Sequence, residues 1–194
     1  MEYLLSLFVF TFVACATPGP NNIMLLASGV NHGIRNSLPH YFGICIGFSV
    51  LVAAVGFGLG ALFSQAPLLH QVLQTIGAAY LVYLAWRIAS ASAVDESESS
   101  AKPLSFIEAA LFQWVNPKAW IIAVGAIATF TVQSRITQSI LTIVAMYFIV
   151  GVVAMGIWLT LGASLQNFLK SSKRRRVFNI FMATLLLFSL ASII

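Results

Sequence analysis

The sequence predicts an all-α membrane protein of six transmembrane helices, arranged as a 3+3 inverted repeat with helices one and four broken. Three observations carry that expectation. First, 60% of the 194 residues are apolar, 8% are charged and the mean hydropathy is +0.95, whereas an average soluble chain is about 25% charged. The polar surface needed to enclose a water-facing globule is missing, so lipid must cover the outside. Second, the apolar residues fall into six runs separated by turn signals. Third, two of those runs are interrupted by proline, at Pro18 and Pro117, about half the chain apart.

A spanning helix needs roughly 20 apolar residues, and the segments are 3–28, 40–63, 68–91, 106–130, 137–168 and 177–194. The first is broken by Thr17-Pro18-Gly19-Pro20-Asn21-Asn22. No Lys or Arg precedes it, so it reads as a retained helix and not as a signal peptide. Asn31-His32-Gly33 turns the chain into segment two, where Gly43-x-x-x-Gly47 and Gly56-x-x-x-Gly60 suit small-residue packing between helices in lipid. Ser64-Gln65-Ala66-Pro67 leads into segment three. The polar run Asp95–Ser100 reads as a solvated loop, with a regulatory role as the alternative. Segment four opens on Ser105-Phe106-Ile107-Glu108, a capping box that makes Glu108 a structural cap, and is broken by Asn116-Pro117-Lys118. Gln133-Ser134-Arg135 precedes segment five, which is longer than a span needs. The basic cluster Lys170–Arg176 precedes segment six, at the short limit.

The whole is one membrane domain, 1–194, with repeat one about 1–91, an acidic loop 92–103 and repeat two about 104–194. Each half has a broken first helix and a glycine-bearing second, and Leu59-Gly60-Ala61 matches Leu161-Gly162-Ala163. Three helices per half insert the halves in opposite senses, the arrangement in which paired Pro/Gly interruptions mark the substrate site of secondary transporters. Arg35, Arg87, Lys102 and the 170–176 cluster share one side, against Arg135 alone on the other. The positive-inside rule then puts both termini outside. The same clustering explains the net charge of +5 without nucleic acid as a partner.

Each break looks like the start of a half-helix, with Asn116 or Gly19 as cap and Pro117 or Pro20 as first helical residue. Pro117 lies roughly 16 Å into a ~30 Å core and Pro18 roughly 22 Å. Two helix N-termini facing one interior, each carrying about half a positive charge, form an anion site suited to a carboxylate. Lys118 adds a full charge, and intramembrane cations default to function; its other reading is a strap on carbonyls freed by the break. Asn21, Asn22 and Asn116 add neutral donors and acceptors. No acid lies in mid-segment, so no metal site is expected and the cargo should bring its own negative group. No cofactor is implied.

Thr17-Pro18-Gly19-Pro20-Asn21, His32-Gly33 with Arg35, Gly77-Ala78-Ala79-Tyr80-Leu81-x-Tyr83-Leu84-x-Trp86 and Asn116-Pro117-Lys118 together resemble the LysE/RhtB amino-acid exporter family over nearly the whole chain. The resemblance implies an exporter in the bacterial inner membrane, driven by proton antiport. Its break motifs map onto Pro18, Gly19, Pro20 and Asn21 and onto Asn116, Pro117 and Lys118. Asn21-Asn22-Ile23 and the stretch Gly125–Phe130 look like the branch exporting cysteine-type and other small neutral amino acids. Expected partners are the amino acid and lipid, with a homodimer left open. Proton-coupling candidates are His40 and Lys118, with His40 ranked above His32 and His70. Two alternatives remain from the residues: a cation or small-ion exporter of related architecture, and a membrane thiol–disulfide carrier using Cys15 and Cys45.

Overall fold

In the computed structural model the chain leaves helical geometry at Thr17–Gly19, Gly33, Gly58 and Asn116, while Pro39 and most glycines stay inside helices. The structure describes residues 1–60, 66–91 and 102–191. Helix α1 covers Glu2–Ala16, and α2 covers Pro20–Ala54 and runs on into a π turn at Val55–Leu59. Helix α3 is Pro67–Ser90, α4 is Phe106–Val115 and α5 is Pro117–Phe130. A 3-10 turn at Gln133–Arg135 leads into α6, Ile136–Leu165, and α7 is Ser172–Ala191. No strand occurs among the described residues. The acidic loop expected at 95–98 and the side chain of His70 lie outside them.

Helix α2 reverses direction. Gly33 takes φ 75° and ψ 177°, a left-handed conformation that only glycine adopts without strain. Across it the Ser28 and Ser37 hydroxyls lie 2.8 Å apart, where a straight helix would separate nine residues by about 13 Å. Two arms therefore pack side by side, 20–32 and 34–54, with Ile23, Met24 and Ala27 of the first against Tyr41, Ile44 and Cys45 of the second. The turn expected at Asn31-His32-Gly33 is this reversal.

Among the described residues, three helices are long and apolar enough to cross a membrane: Pro20–Leu59, Gln71–Ser90 and Gln133–Leu165. The sequence predicts six spans. The interruptions at 17–19 and at 116 leave Glu2–Ala16, Phe106–Val115 and Pro117–Phe130 each too short to cross alone. Pro20–Leu59 is folded back on itself at Gly33, and α7 carries Lys173, Arg174, Arg175 and Arg176 at its start and falls outside the three. Large apolar side chains point outward on every helix, including Leu5, Val50, Val82, Leu111, Ile121, Ile149 and Phe188. Such an exterior suits hydrocarbon and not water.

The first half of the chain packs chiefly on the second half. Helix α2 lies against α6 and α4, α3 against α7, and α1 against α6, while α2 and α3 barely touch. Small residues permit the closest approaches. A Cβ on Gly162 would run into the Leu26 carbonyl, and Gly29 and Gly162 meet backbone to backbone. Gly43 and Gly47 seat α2 on Phe106, Ala109 and Ala110 of α4, as small-residue packing in lipid requires.

The second glycine pair does not behave that way. Gly56 packs on Ile127 and Ile140, but among the described residues Gly60 meets Val55 of its own turn, across the wide turn that holds Gly58 (φ 122°). Gly60 and Gly162, matched in sequence, therefore hold different environments.

Candidate functional site

The two interruptions meet. Pro18 and Pro20 supply no backbone N–H, so α1 stops at Ala16 and α2 restarts at Pro20 with Gly19 as its cap. Asn116 both ends α4 and starts α5. Its side-chain oxygen accepts the Lys118 N–H at 3.2 Å, and its carbonyl accepts the Ala119 and Trp120 N–H groups at 3.0 and 3.3 Å. This cap aims Lys118 at the other break, 101 positions away, where its Nζ donates to the Thr17 carbonyl at 2.7 Å and the Pro18 carbonyl at 3.3 Å. The last carbonyls of a helix carry about half a negative charge, which favours a cation there.

Gly19 gives the lysine its room. Its own backbone is extended (φ −169°), which any residue tolerates, but a Cβ would stand 2.8 Å from both Cδ and Nζ of Lys118. Two more ties close the knot. Asn21 and Gln113 exchange side-chain amide hydrogen bonds of 2.8 and 3.1 Å, and the Asn22 amide donates to the Cys15 carbonyl at 2.9 Å.

A cavity of about 50 Å³ opens beside the knot, with Cys15, Asn21, Asn22, Cys45, Lys118 and Tyr147 on its wall. That is room for about four waters. Asn116 lines it as well, Ile44, Phe48, Ile122 and Met155 supply apolar wall, and Gly151 leaves a gap in it. Both cysteines are free thiols. Tyr147 is buried, and neither its hydroxyl nor that of Thr11 takes a hydrogen bond.

The structure thus brings together Pro18, Gly19, Pro20, Asn21, Asn22, Asn116, Pro117 and Lys118. It also distinguishes the two helix starts. That of α5 is already satisfied by Asn116, whereas the backbone N–H groups of Asn21 and Asn22 take no backbone partner outside helices among the described residues. The helix start left with free backbone N–H groups is that of α2.

His40 is elsewhere. It lies 1% exposed with neither ring nitrogen hydrogen-bonded, on the wall of a second cavity of about 50 Å³ near the Gly33 turn. Asn31, His32, Arg87 and Lys102 share that wall. The two proton-coupling candidates, His40 and Lys118, therefore occupy separate cavities. Glu108 forms the expected capping box with Ser105 (2.8 and 3.2 Å) and pairs with Arg87 at 3.4 Å.

Gln113 and Tyr147 were not legible as site residues from sequence reasoning alone. The one sequence signal for Gln113 is an uncharged polar residue in an apolar run, which in lipid needs a polar partner; the structure buries it fully. Tyr147 sits in mid-segment, away from the membrane interface where tyrosines usually collect.

Comparison with known proteins gives the lineage. The family model for LysE type translocators matches residues 12–192. The chain is 33% identical over 190 residues to the cysteine/O-acetylserine efflux proteins of Escherichia coli strain K12 and strain E24377A, covering 95% of this chain and 94% of each relative. It is 32% identical, with the same coverage, to the cysteine/O-acetylserine efflux protein of Salmonella typhimurium. No solved structure matches. With the family model and full-length relatives in agreement, the chain belongs to the LysE type translocator family.

Proposed function

We propose that this translocator exports small amino acids or close derivatives from the bacterial cytoplasm by proton antiport, as a six-span inverted repeat with both termini outside. The spans are α1 with the first arm of α2, the second arm, α3, α4 with α5, α6 and α7. The observation that carries the reading is the Lys118 ammonium seated on the Thr17 and Pro18 carbonyls beside a small, half-apolar cavity.

An amino acid presents an ammonium and a carboxylate a few bonds apart, and the break offers a partner for each. Carbonyls end α1, and unpaired N–H groups begin α2. The cargo carboxylate is taken by the Asn21 and Asn22 amides, while its ammonium competes with Lys118 for the two carbonyls. Displaced, Lys118 swings its charge toward the carboxylate. The cargo side chain then lies against Cys15, Ile44, Cys45, Phe48 and Met155, a wall suited to a short, weakly polar group. The curated relatives, named for efflux of cysteine and O-acetylserine, fit that size. The cavity at about 50 Å³ must widen to admit either, so this conformation is the closed one.

Efflux of labelled cysteine or O-acetylserine from loaded cells tests the site. The Lys118→Ala, Pro18→Ala double variant should fall to background at normal expression, and unimpaired efflux would sink the assignment. For the coupling, a protonophore should slow export from energised vesicles; an unchanged rate would remove protons from the mechanism.

A further inference from the structure

We propose that the cavity at the Gly33 turn is a second carboxylate-binding site, an entry station that a small amino acid occupies on its way to the Lys118 cavity; this rests on the export reading above. His40 points to a ligand. It is 1% exposed, it lines the cavity, and both ring nitrogens lack a partner. A neutral imidazole has one donor and one acceptor, and burying both unmet is costly unless something fills them.

The charges around it are of one sign. Arg87 and Lys102 line the same cavity with His32, and no acidic side chain does among the described residues. Arg87 has five N–H donors. The structure commits one nitrogen to Glu108 at 3.4 Å and another to the Lys102 carbonyl at 2.7 Å, which leaves donors to spare. Glu108, the acid nearest the site, is held by its capping box and by Arg87. An anion is therefore the missing partner of the imidazole N–H and of the spare Arg87 donors, and the ammonium of an amino acid can donate to the other ring nitrogen. Met24, Leu84, Ile88 and Leu104 also line the cavity, so the anion should carry a short apolar body, which a small amino acid does.

Position adds a second argument. Both cavities are bordered by both arms of α2: Ser28 and His40 line one, Asn21 and Cys45 the other. They are about 10 Å apart along the arms, with Ile23, Met24, Tyr41 and Ile44 packed as the layer between. A carboxylate leaving the entry station would pass these residues on its way to the α2 helix start.

The test uses the purified full-length protein with ¹⁵N-labelled histidine, in phosphatidylcholine nanodiscs, titrated with sodium acetate against sodium chloride. The His40 ring resonances, assigned by their loss in His40→Gln, should move saturably with acetate and not with chloride. The movement should persist in Lys118→Ala, which separates this site from the central one and from export itself. The acetate affinity should fall about threefold in Lys102→Gln and about tenfold in Arg87→Gln. If Arg87→Gln fails to fold, the exposed Lys102→Gln carries the comparison. A silent His40, an equal response to chloride, or a response that vanishes with Lys118 overturns the proposal. So does a shift produced by added phosphatidylglycerol and indifferent to acetate, which would assign the site to lipid phosphate. Loss of efflux with the acetate response intact would instead reject the export reading and leave the site standing.

Discussion

A methyl group is the smallest available gauge of whether the cavity at the break sets the size of the cargo. Gly151 lines it, and a Cβ there would meet nothing within 4 Å, so Gly151→Ala fills space without forcing the helices apart. Export of the larger of two neutral amino acids should suffer first. One methylene of room in an apolar pocket discriminates by about tenfold or more, and competition between labelled glycine and labelled methionine in efflux would show it. An unchanged ratio would mean that cargo does not rest against α6. The residues around this cavity differ in how readable they were. Lys118 advertised itself, since an ammonium in an apolar run must answer to something. The single-letter string offers no sign that Asn116 would satisfy the α5 start and leave the α2 start open. That asymmetry depends on a side-chain oxygen reaching one N–H at 3.2 Å.

Helix α6 tests the packing at the next scale, because its glycines stand in unlike surroundings. Gly162→Ala would drive a Cβ into the Leu26 carbonyl, a backbone atom that cannot rotate away, whereas Gly156→Ala meets the Tyr41 side chain at an ordinary 3.8 Å. Overpacking of the first kind costs about 1–3 kcal/mol, so Gly162→Ala should melt well below the parent protein in detergent, with Gly156→Ala close to it. Equal melting points would show that α2 and α6 do not ride on that contact. The helix interruptions themselves were plain in the sequence, since proline deletes an N–H wherever it stands, and the capping box at Ser105 was equally plain. The equivalence of Gly60 and Gly162 was not safe to infer. Matching triplets record hydropathy, and the π turn at Val55–Leu59 rotates Gly60 off the face its counterpart uses.

Across the whole molecule the first test is sidedness. Cysteines introduced at Arg135 and at Arg174, in a Cys15→Ser, Cys45→Ser background, should react with an impermeant maleimide from opposite faces: position 135 in intact cells, position 174 only after permeabilisation. The reverse pattern would invert the topology and make the Gly33 cavity an exit. The architecture also has a consequence for how the chain is made. Gly29 and Gly162 touch, and α1, α2 and α3 find their main neighbours in the later helices. A ribosome delivers the early helices well before their partners exist. Until α5 arrives, the Thr17 and Pro18 carbonyls lack their lysine, and until α6 follows, the face of α2 that carries Gly29 borders lipid. A nascent chain in that state is a client for the cell's insertion machinery and, if synthesis stalls, for its membrane proteases; prematurely terminated copies would be cleared and would not persist as half-sized pores.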